Sequence, residues 1–154
     1  MPPRRQRKLL PAISKDQLDI LVGNAITDRD KVTLNLLWYS GMRLSEAANV
    51  KDSDFNWEEG TVIVLGKGNR YRKALAGNGM VKDWFMKHDS LGIAADGIST
   101  MLKRLGKATG IKCDPHSFRR GSAVHQVNRD YPTRLSRLLV VGKVLTWLAT
   151  MQQA

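Results

Sequence analysis

The sequence predicts an α+β domain that is mainly helical, with one small antiparallel sheet between its helical halves. Helix start and stop signals recur along most of the chain, whereas β-branched residues concentrate in one short run, Thr61–Leu65. A glycine-rich turn, Gly66–Asn69, separates this run from Arg70–Leu75, which is the pattern of a β-hairpin. The length of 154 residues suits one domain with one modest core.

Capping signals define the helices before the hairpin. Ser14-Lys15-Asp16-Gln17 is a capping box, and it predicts a helix that ends near Gly23. Asp28 is expected to cap a second helix, which is apolar on nearly every side and should therefore be buried. Gly41 follows as its left-handed C-cap, and a short helix carrying Glu46 comes next.

Helices are also predicted after the hairpin. The first spans 78–88, and Asp96 is expected to cap the next one, which Gly110 ends. A third spans about 117–129 and stops before Pro132, because proline cannot continue a helix. One or two more helices are expected to reach the C-terminus.

Composition excludes several classes of protein. No apolar run approaches the roughly 20 residues that span a bilayer, and no apolar stretch follows the basic N-terminus as in a signal peptide. The single cysteine, Cys113, excludes an internal disulfide and fits a reducing cytosol. Neither a metal site nor a cofactor is predicted, since one cysteine and three scattered histidines lack zinc-ligand spacing: His88, His116 and His125.

Positive charge is concentrated in two blocks of the chain. The net charge is +11, and residues 1–8 hold four basic residues and no acidic one. Residues 101–143 hold ten basic and two acidic residues, whereas 9–100 is nearly neutral. We interpret 1–11 as a basic tail and 12–154 as the folded domain. Two basic blocks favour a polyanionic partner such as nucleic acid, although a solvated basic face is the simpler alternative.

Three short segments stand out from the predicted framework. They are Ser40-Gly41-Met42-Arg43-Leu44-Ser45-Glu46, Val64-Leu65-Gly66-Lys67-Gly68-Asn69-Arg70 and His116-Ser117-Phe118-Arg119-Arg120-Gly121. Each is common by chance when it stands alone. In this order they resemble the tyrosine recombinase, or phage integrase, family, in which an Arg turn, a lysine hairpin and a His-x-x-Arg helix start follow one another. The resemblance covers about 12–142 and implies the catalytic-domain fold of that family.

The resemblance implies a set of catalytic and supporting residues. Catalysis would fall to Arg43, Lys67, His116 and Arg119, supported by Glu46 and Lys143. Paired guanidiniums can neutralise a phosphate whose charge grows in the transition state, without a metal or nucleotide. By resemblance the lysine protonates the leaving 5′-oxygen, and the histidine transfers or orients a proton. Contacts to DNA are expected from Arg4, Arg5, Arg70, Arg72 and Arg120.

The same residues also have structural interpretations. Arg43 is three residues before Glu46, which suits an ion pair within a helix. His116 precedes a predicted helix and could serve as its cap. Arg120 fits either a phosphate contact or a solvated charge.

The C-terminal part departs from the family pattern, so the nucleophilic tyrosine is not identified. The family has a Leu-Gly-His or Gly-x-Trp element, with the tyrosine about ten residues beyond its glycine on a helix. Here Val141-Gly142-Lys143 occupies the place of that element, and the expected tyrosine position holds Gln152. Tyr131 lies too close to the His-x-x-Arg segment, in a turn before a proline. If Trp147 is the displaced tryptophan, the tyrosine would fall beyond Ala154.

Three functions therefore compete. The leading one is a site-specific recombinase domain that binds double-stranded DNA and, in the family, cleaves and rejoins strands through a phosphotyrosine intermediate. It would act in the cytoplasm of a bacterial, archaeal or phage-infected cell, and a homo-oligomer on DNA is one assembly that it could form. The second is a catalytically inactive DNA-binding relic or regulator of the same fold. The third is an unrelated basic helical module that binds DNA or RNA.

Overall fold

The computed structural model describes residues 10–130 and Leu145, and its architecture is the predicted one. The described part is mainly helical and carries one three-stranded antiparallel sheet. The elements in chain order are α1 Lys15–Asn24, α2 Asp28–Ser40, α3 Leu44–Asn49, β1 Phe55–Asn56, β2 Thr61–Leu65, β3 Tyr71–Leu75, α4 Gly79–Lys87, α5 Ala95–Thr109 and α6 Pro115–Asp130.

The helix starts confirm one predicted cap and correct two others. At α1 the Ser14 hydroxyl accepts from the Gln17 N–H and the Gln17 side chain accepts from the Ser14 N–H, as the capping box requires. At α2 the cap is Thr27 and not Asp28. The backbone of Thr27 is extended, and its hydroxyl accepts from the Asp30 N–H. At α5 the residue before the helix is an alanine, and Asp96 lies in the first turn, where its charge favours the helix dipole.

Helix α2 forms the centre of the core. It packs against α1, α4 and α6, and most of its side chains are buried, as its apolar surface predicted. Trp38 is 2 % exposed. The helix ends at Gly41, whose φ of 68° is the left-handed conformation that glycine adopts without strain. The chain can therefore turn sharply into α3.

The sheet consists of the predicted hairpin and a short extra strand. Strands β2 and β3 pair antiparallel from Thr61 opposite Leu75 to Leu65 opposite Tyr71. The Gly66 N–H donates to the Arg70 carbonyl at 2.8 Å, so Arg70 belongs to the turn. Strand β1 was not predicted, because two residues are too few to show an alternating pattern.

A close approach at Gly121 seats α6 on the core. A Cβ at this position would lie 2.2 Å from the Ile13 carbonyl oxygen and 2.9 Å from the indole Nε1 of Trp38. The Trp38 indole donates to that same Ile13 carbonyl at 2.8 Å. Only glycine fits here, and the contact brings the residues just before Gly121 against the C-terminal end of α2.

Several predictions fall on residues outside the described part of the chain. They concern the C-terminal helices and the following side chains: Arg4, Arg5, Tyr131, Lys143, Trp147 and Gln152. Among the described residues, no helix is long and apolar enough to cross a membrane.

Candidate active site

Arg43 stands at the turn between α2 and α3. It is the N-cap residue of α3, and its backbone N–H donates to the Glu46 carboxylate at 2.8 Å. Its half-buried side chain faces an open cleft, which we call the cationic cleft. The residues that line this cleft come from α3, its N-cap and the hairpin: Arg43, Ser45, Glu46, Leu65, Gly66 and Lys67.

Glu46 forms an ion pair with Arg72 on β3, and not with Arg43 as the sequence suggested. The two guanidinium nitrogens of Arg72 donate to the two carboxylate oxygens of Glu46, at 2.6 and 3.0 Å. The Glu46 side chain is 5 % exposed. Burial alone would raise the pKa of this carboxyl, but the hydrogen bonds from Arg72 and from the Arg43 N–H outweigh burial and lower the pKa. Glu46 is thus held as a carboxylate in a fixed orientation.

Arg119 is held next to the turn that carries Arg43. Its Nε donates to the Gly41 carbonyl at 3.2 Å, and its side chain is half-buried. The pKa of its guanidinium is lowered, first by burial and then by the positive charges of Arg43 and Arg72. Arginine stays charged despite such a shift, so three guanidiniums with one carboxylate leave this region strongly cationic. An anion would relieve the repulsion between them.

His116 lies in the first turn of α6, three residues before Arg119. This spacing puts both side chains on the same side of the helix. The cap of α6 is Asp114 and not His116: its carboxylate accepts from the Ser117 N–H at 2.8 Å, and the Ser117 hydroxyl accepts from the Asp114 N–H at 3.1 Å. The His116 side chain is exposed, and no described contact joins it to Arg43 or Lys67.

Lys67 lies in the turn of the hairpin, exposed and at the rim of the cationic cleft. The turn closes through left-handed backbone at Gly68 and Asn69, with φ values of 74° and 58°. Arg70, at the far end of the turn, is also exposed. The structure thus brings Arg43, Glu46 and Lys67 to one cleft, with Arg72 beneath it.

The environment of Arg120 contradicts its expected contact with DNA. The residue is 3 % exposed, and its Nε donates to the Pro11 carbonyl. Burial lowers the pKa of its guanidinium. Consecutive helix residues point about 100° apart, so Arg120 does not share the direction in which Arg119 approaches the Arg43 turn. Arg120 instead fastens the segment before α1 to α6.

The pairing of Arg72 was missed, although the hairpin pattern contained a signal for it. Side chains alternate between the two faces of a strand. In the observed register Arg72 is opposite Val64, which is 3 % exposed, so Arg72 shares the buried face of the sheet. An arginine on that face favours an acidic partner, and the motif offered Glu46.

The fold is similar to that of tyrosine recombinase catalytic domains. A crystal structure of XerA recombinase superposes with a TM-score of 0.65 at 24 % identity, over 84 % of this chain and 53 % of that one. XerH site-specific recombinase bound to its difH substrate gives 0.61 at 20 % identity, over 88 % and 47 %.

The sequence pattern described as the phage integrase family matches residues 11–139, so the chain belongs to that family. Tyrosine recombinase XerA of Pyrococcus horikoshii is 28 % identical over 158 residues, covering 90 % of this chain and 55 % of the relative. Tyrosine recombinase XerC of Vibrio cholerae is 32 % identical over 89 residues, covering 55 % and 28 %. The chain spans about half or less of the length of these relatives.

Proposed function

We propose that this chain is the DNA-engaging catalytic domain of a site-specific tyrosine recombinase, and that the cationic cleft receives a DNA phosphodiester. The observation that carries the proposal is the approach of Arg119 to the Arg43 turn, across 78 residues of sequence, beside the lysine hairpin. Family membership, the fold and this concentration of cations support the same activity. The fold contributes rigid placement of cations that repulsion would otherwise drive apart.

Each side chain takes the role that its chemistry allows. Arg43 and Arg119 bind the non-bridging oxygens and stabilise the charge that grows as phosphorus becomes five-coordinate. Lys67 donates a proton to the departing 5′-oxygen. His116 transfers or orients a proton, a role that suits an imidazole side chain. Glu46 takes no part in bond making and fixes the turn that presents Arg43.

The proposed partner is double-stranded DNA. XerH has been solved on a difH substrate, and a lambda integrase dimer has been solved on a core site. By analogy with these proteins we propose that this chain engages DNA as one protomer of a larger assembly. The exposed Arg70 beside Lys67 would contact the backbone of the duplex.

A second candidate, a DNA-binding protein that does not cleave, is favoured by the positions of the described tyrosines. Tyr39 is half-buried and packs edge-on against Trp38, with ring centroids 5.0 Å apart. Tyr71 precedes Arg72 on β3, and it is not among the residues that line the cationic cleft. Neither hydroxyl suits attack at the cationic cleft, and Tyr131 lies outside the described residues.

Two measurements test these proposals. Binding of the chain to random-sequence duplexes should weaken steeply with salt, with a slope of several units, at about −0.9 per phosphate neutralised. Lys15→Gln controls for the loss of one positive charge away from the cationic cleft. Lys15 lies on α1 and pairs with Asp19, so this variant should bind DNA as the wild type does. Affinity that does not change with salt would overturn the DNA proposal.

The covalent step is tested with nicked suicide duplexes of selected sequence. If the recombinase proposal is correct, any polypeptide of this protein that contains the nucleophile should form a protease-sensitive covalent adduct with the duplex. We expect none from residues 1–154, because the described tyrosines lie away from the cleft. An adduct that disappears in Tyr131→Phe would identify that residue as the nucleophile and remove the non-cleaving candidate.

A further inference from the structure

One carboxylate joins the helix turn and the hairpin that form the two sides of the cationic cleft. Glu46 accepts from the Arg43 N–H on one side and from both guanidinium nitrogens of Arg72 on the other. The Arg43 contact and one Arg72 contact converge on the same oxygen, Oε1. Movement of β3 relative to α3 would therefore break hydrogen bonds at a carboxylate that is 5 % exposed.

The base of the lysine turn rests directly on this pair. A Cβ built on Gly66 would lie 3.5 Å from Oε2 of Glu46 and 3.7 Å from Nη1 of Arg72. Gly66 is the residue before Lys67, and its N–H donates across the turn to the Arg70 carbonyl. The Glu46–Arg72 pair thus forms the platform from which the turn projects.

We propose that Arg72 is a positioning residue: by its two hydrogen bonds to Glu46 it fixes the hairpin against α3 and so places Lys67 beside Arg43. This inference rests on the proposed function, since it assigns Lys67 a duty in the cationic cleft. Arg72 itself takes no proton, and its pairing with Glu46 gives it a role in addition to the DNA contact that the sequence predicted. The planar fork of arginine satisfies both carboxylate oxygens at once, which a lysine cannot do.

The opposite face of the same strand supplies a matched control. Lys73 follows Arg72 and pairs with Glu59 at 3.3 Å, but both side chains are well exposed, at 66 % and 51 %. Exposed pairs of this kind contribute little to stability. Lys73→Gln removes the same charge from the same strand without touching the platform.

Amide hydrogen exchange of the full chain, followed by mass spectrometry, tests the proposal without DNA. In Arg72→Gln we expect exchange of the 64–71 segment and of the Arg43 amide to rise about tenfold, because local opening is no longer opposed by the pair. Exchange in α5 should be unchanged, which shows that the fold is intact. Arg72→Lys should be intermediate, and Lys73→Gln should match the wild type.

A second measurement connects the platform to Lys67. A duplex with abasic aldehyde sites is incubated with each variant, and borohydride reduction traps the lysines that reach the DNA, which mass spectrometry then maps. Trapping at Lys67 should fall several-fold in Arg72→Gln, while trapping at other lysines persists. Lys67→Arg identifies the Lys67 adduct.

The outcomes separate the two proposals. If the wild type does not bind the duplex, the proposed function fails, and the exchange measurement alone decides whether Arg72 holds the hairpin. If Arg72→Gln behaves as Lys73→Gln does in exchange, the positioning role is overturned, whatever the DNA results. If Arg72→Gln also raises exchange in α5, Arg72→Lys becomes the deciding variant. The proposal is then refuted if the 64–71 segment of Arg72→Lys exchanges as fast as that of the wild type.

Discussion

Arg119 and Arg120 are consecutive on α6, yet one is held beside the Arg43 turn and the other is buried against Pro11. The face that carries Arg119 also carries the exposed His116. Arg120 and Phe118 are buried, and Gly121 lies against Ile13 and Trp38. Two identical side chains therefore differ in their surroundings because one helical step separates their directions.

The comparison shows that positive charge is not by itself a sign of DNA contact. The core face of α6 determines where the helix lies, and the cleft face depends on that placement. Substitutions on the core face should therefore change stability, whereas those on the cleft face should change binding at nearly constant stability.

The largest effect is expected at Gly121. Gly121→Ala should destabilise the fold by about 3 kcal/mol, since the new methyl group meets backbone that cannot move freely. The clashing atom is the Ile13 carbonyl oxygen. Urea denaturation followed by circular dichroism measures the change. Gly23→Ala in α1 is the control, because nothing lies within 4 Å of its Cβ position; it should stabilise by about 0.5–1 kcal/mol.

Arg120 should come next, through packing more than charge. Arg120→Ala is expected to cost about 2 kcal/mol, from the lost packing of its aliphatic stem and the unpartnered Pro11 carbonyl. Arg120→Met keeps the stem and should cost less than about 1 kcal/mol. Chemical denaturation compares the two, and duplex affinity measured well below the midpoint should be unchanged in both. A loss of affinity in Arg120→Met would return this residue to the DNA contacts.

How well the sequence predicted a structural feature depends on how far apart in the chain the interacting residues lie. Helix α1, its capping box and the hairpin were predicted because their signals lie within a few residues of one another. The sequence could not decide between Thr27 and Asp28, because both residue types can cap a helix. The structure decides for Thr27, whose backbone is extended. In the site, Arg43, Glu46 and Lys67 came from the family resemblance, and they line one cleft.

The features that were missed depend on contacts between distant parts of the chain. The Arg120 contact joins residues 109 apart, and the Glu46–Arg72 pair joins residues 26 apart. A local pattern cannot say which of two neighbouring arginines faces inward unless the phase of the helix is already fixed. In the structure the contact with the Pro11 carbonyl, far away in sequence, makes Arg120 the buried one.

On the cleft face, Arg119→Met should separate binding from stability. The stability change should stay within about 0.5 kcal/mol, because loss of the Gly41 hydrogen bond is offset by reduced repulsion among the cations. Duplex affinity should fall about tenfold, and the salt slope should become shallower by about one unit. Fluorescence anisotropy over a range of salt concentrations measures both. An unchanged slope would mean that Arg119 does not contact a phosphate.

The smallest effect is expected at His125, farther along α6. Its ring packs on Trp38, with centroids 4.5 Å apart, and its pKa is lowered by burial first and then by the charges of Arg129 and Lys15. The folded state therefore binds its proton more weakly than the unfolded state, whose pKa is near 6.5. Stability from this residue is fully present above that value and is lost as the pH falls through it toward the lowered folded-state pKa.

The size of this loss should be less than about 1 kcal/mol, since solvent screens a half-buried ring. Urea denaturation at pH 7.5 and pH 5.5 measures it in the wild type and in His125→Gln, whose amide does not titrate in this range. The variant should lose less stability between the two pH values than the wild type does. His88→Gln controls for a general effect of removing an imidazole. His88 lies at the C-terminal end of α4, outside α6. If His125→Gln and the wild type lose stability equally, the ring is not held neutral by its packing, and α6 has no pH-sensitive contact with Trp38.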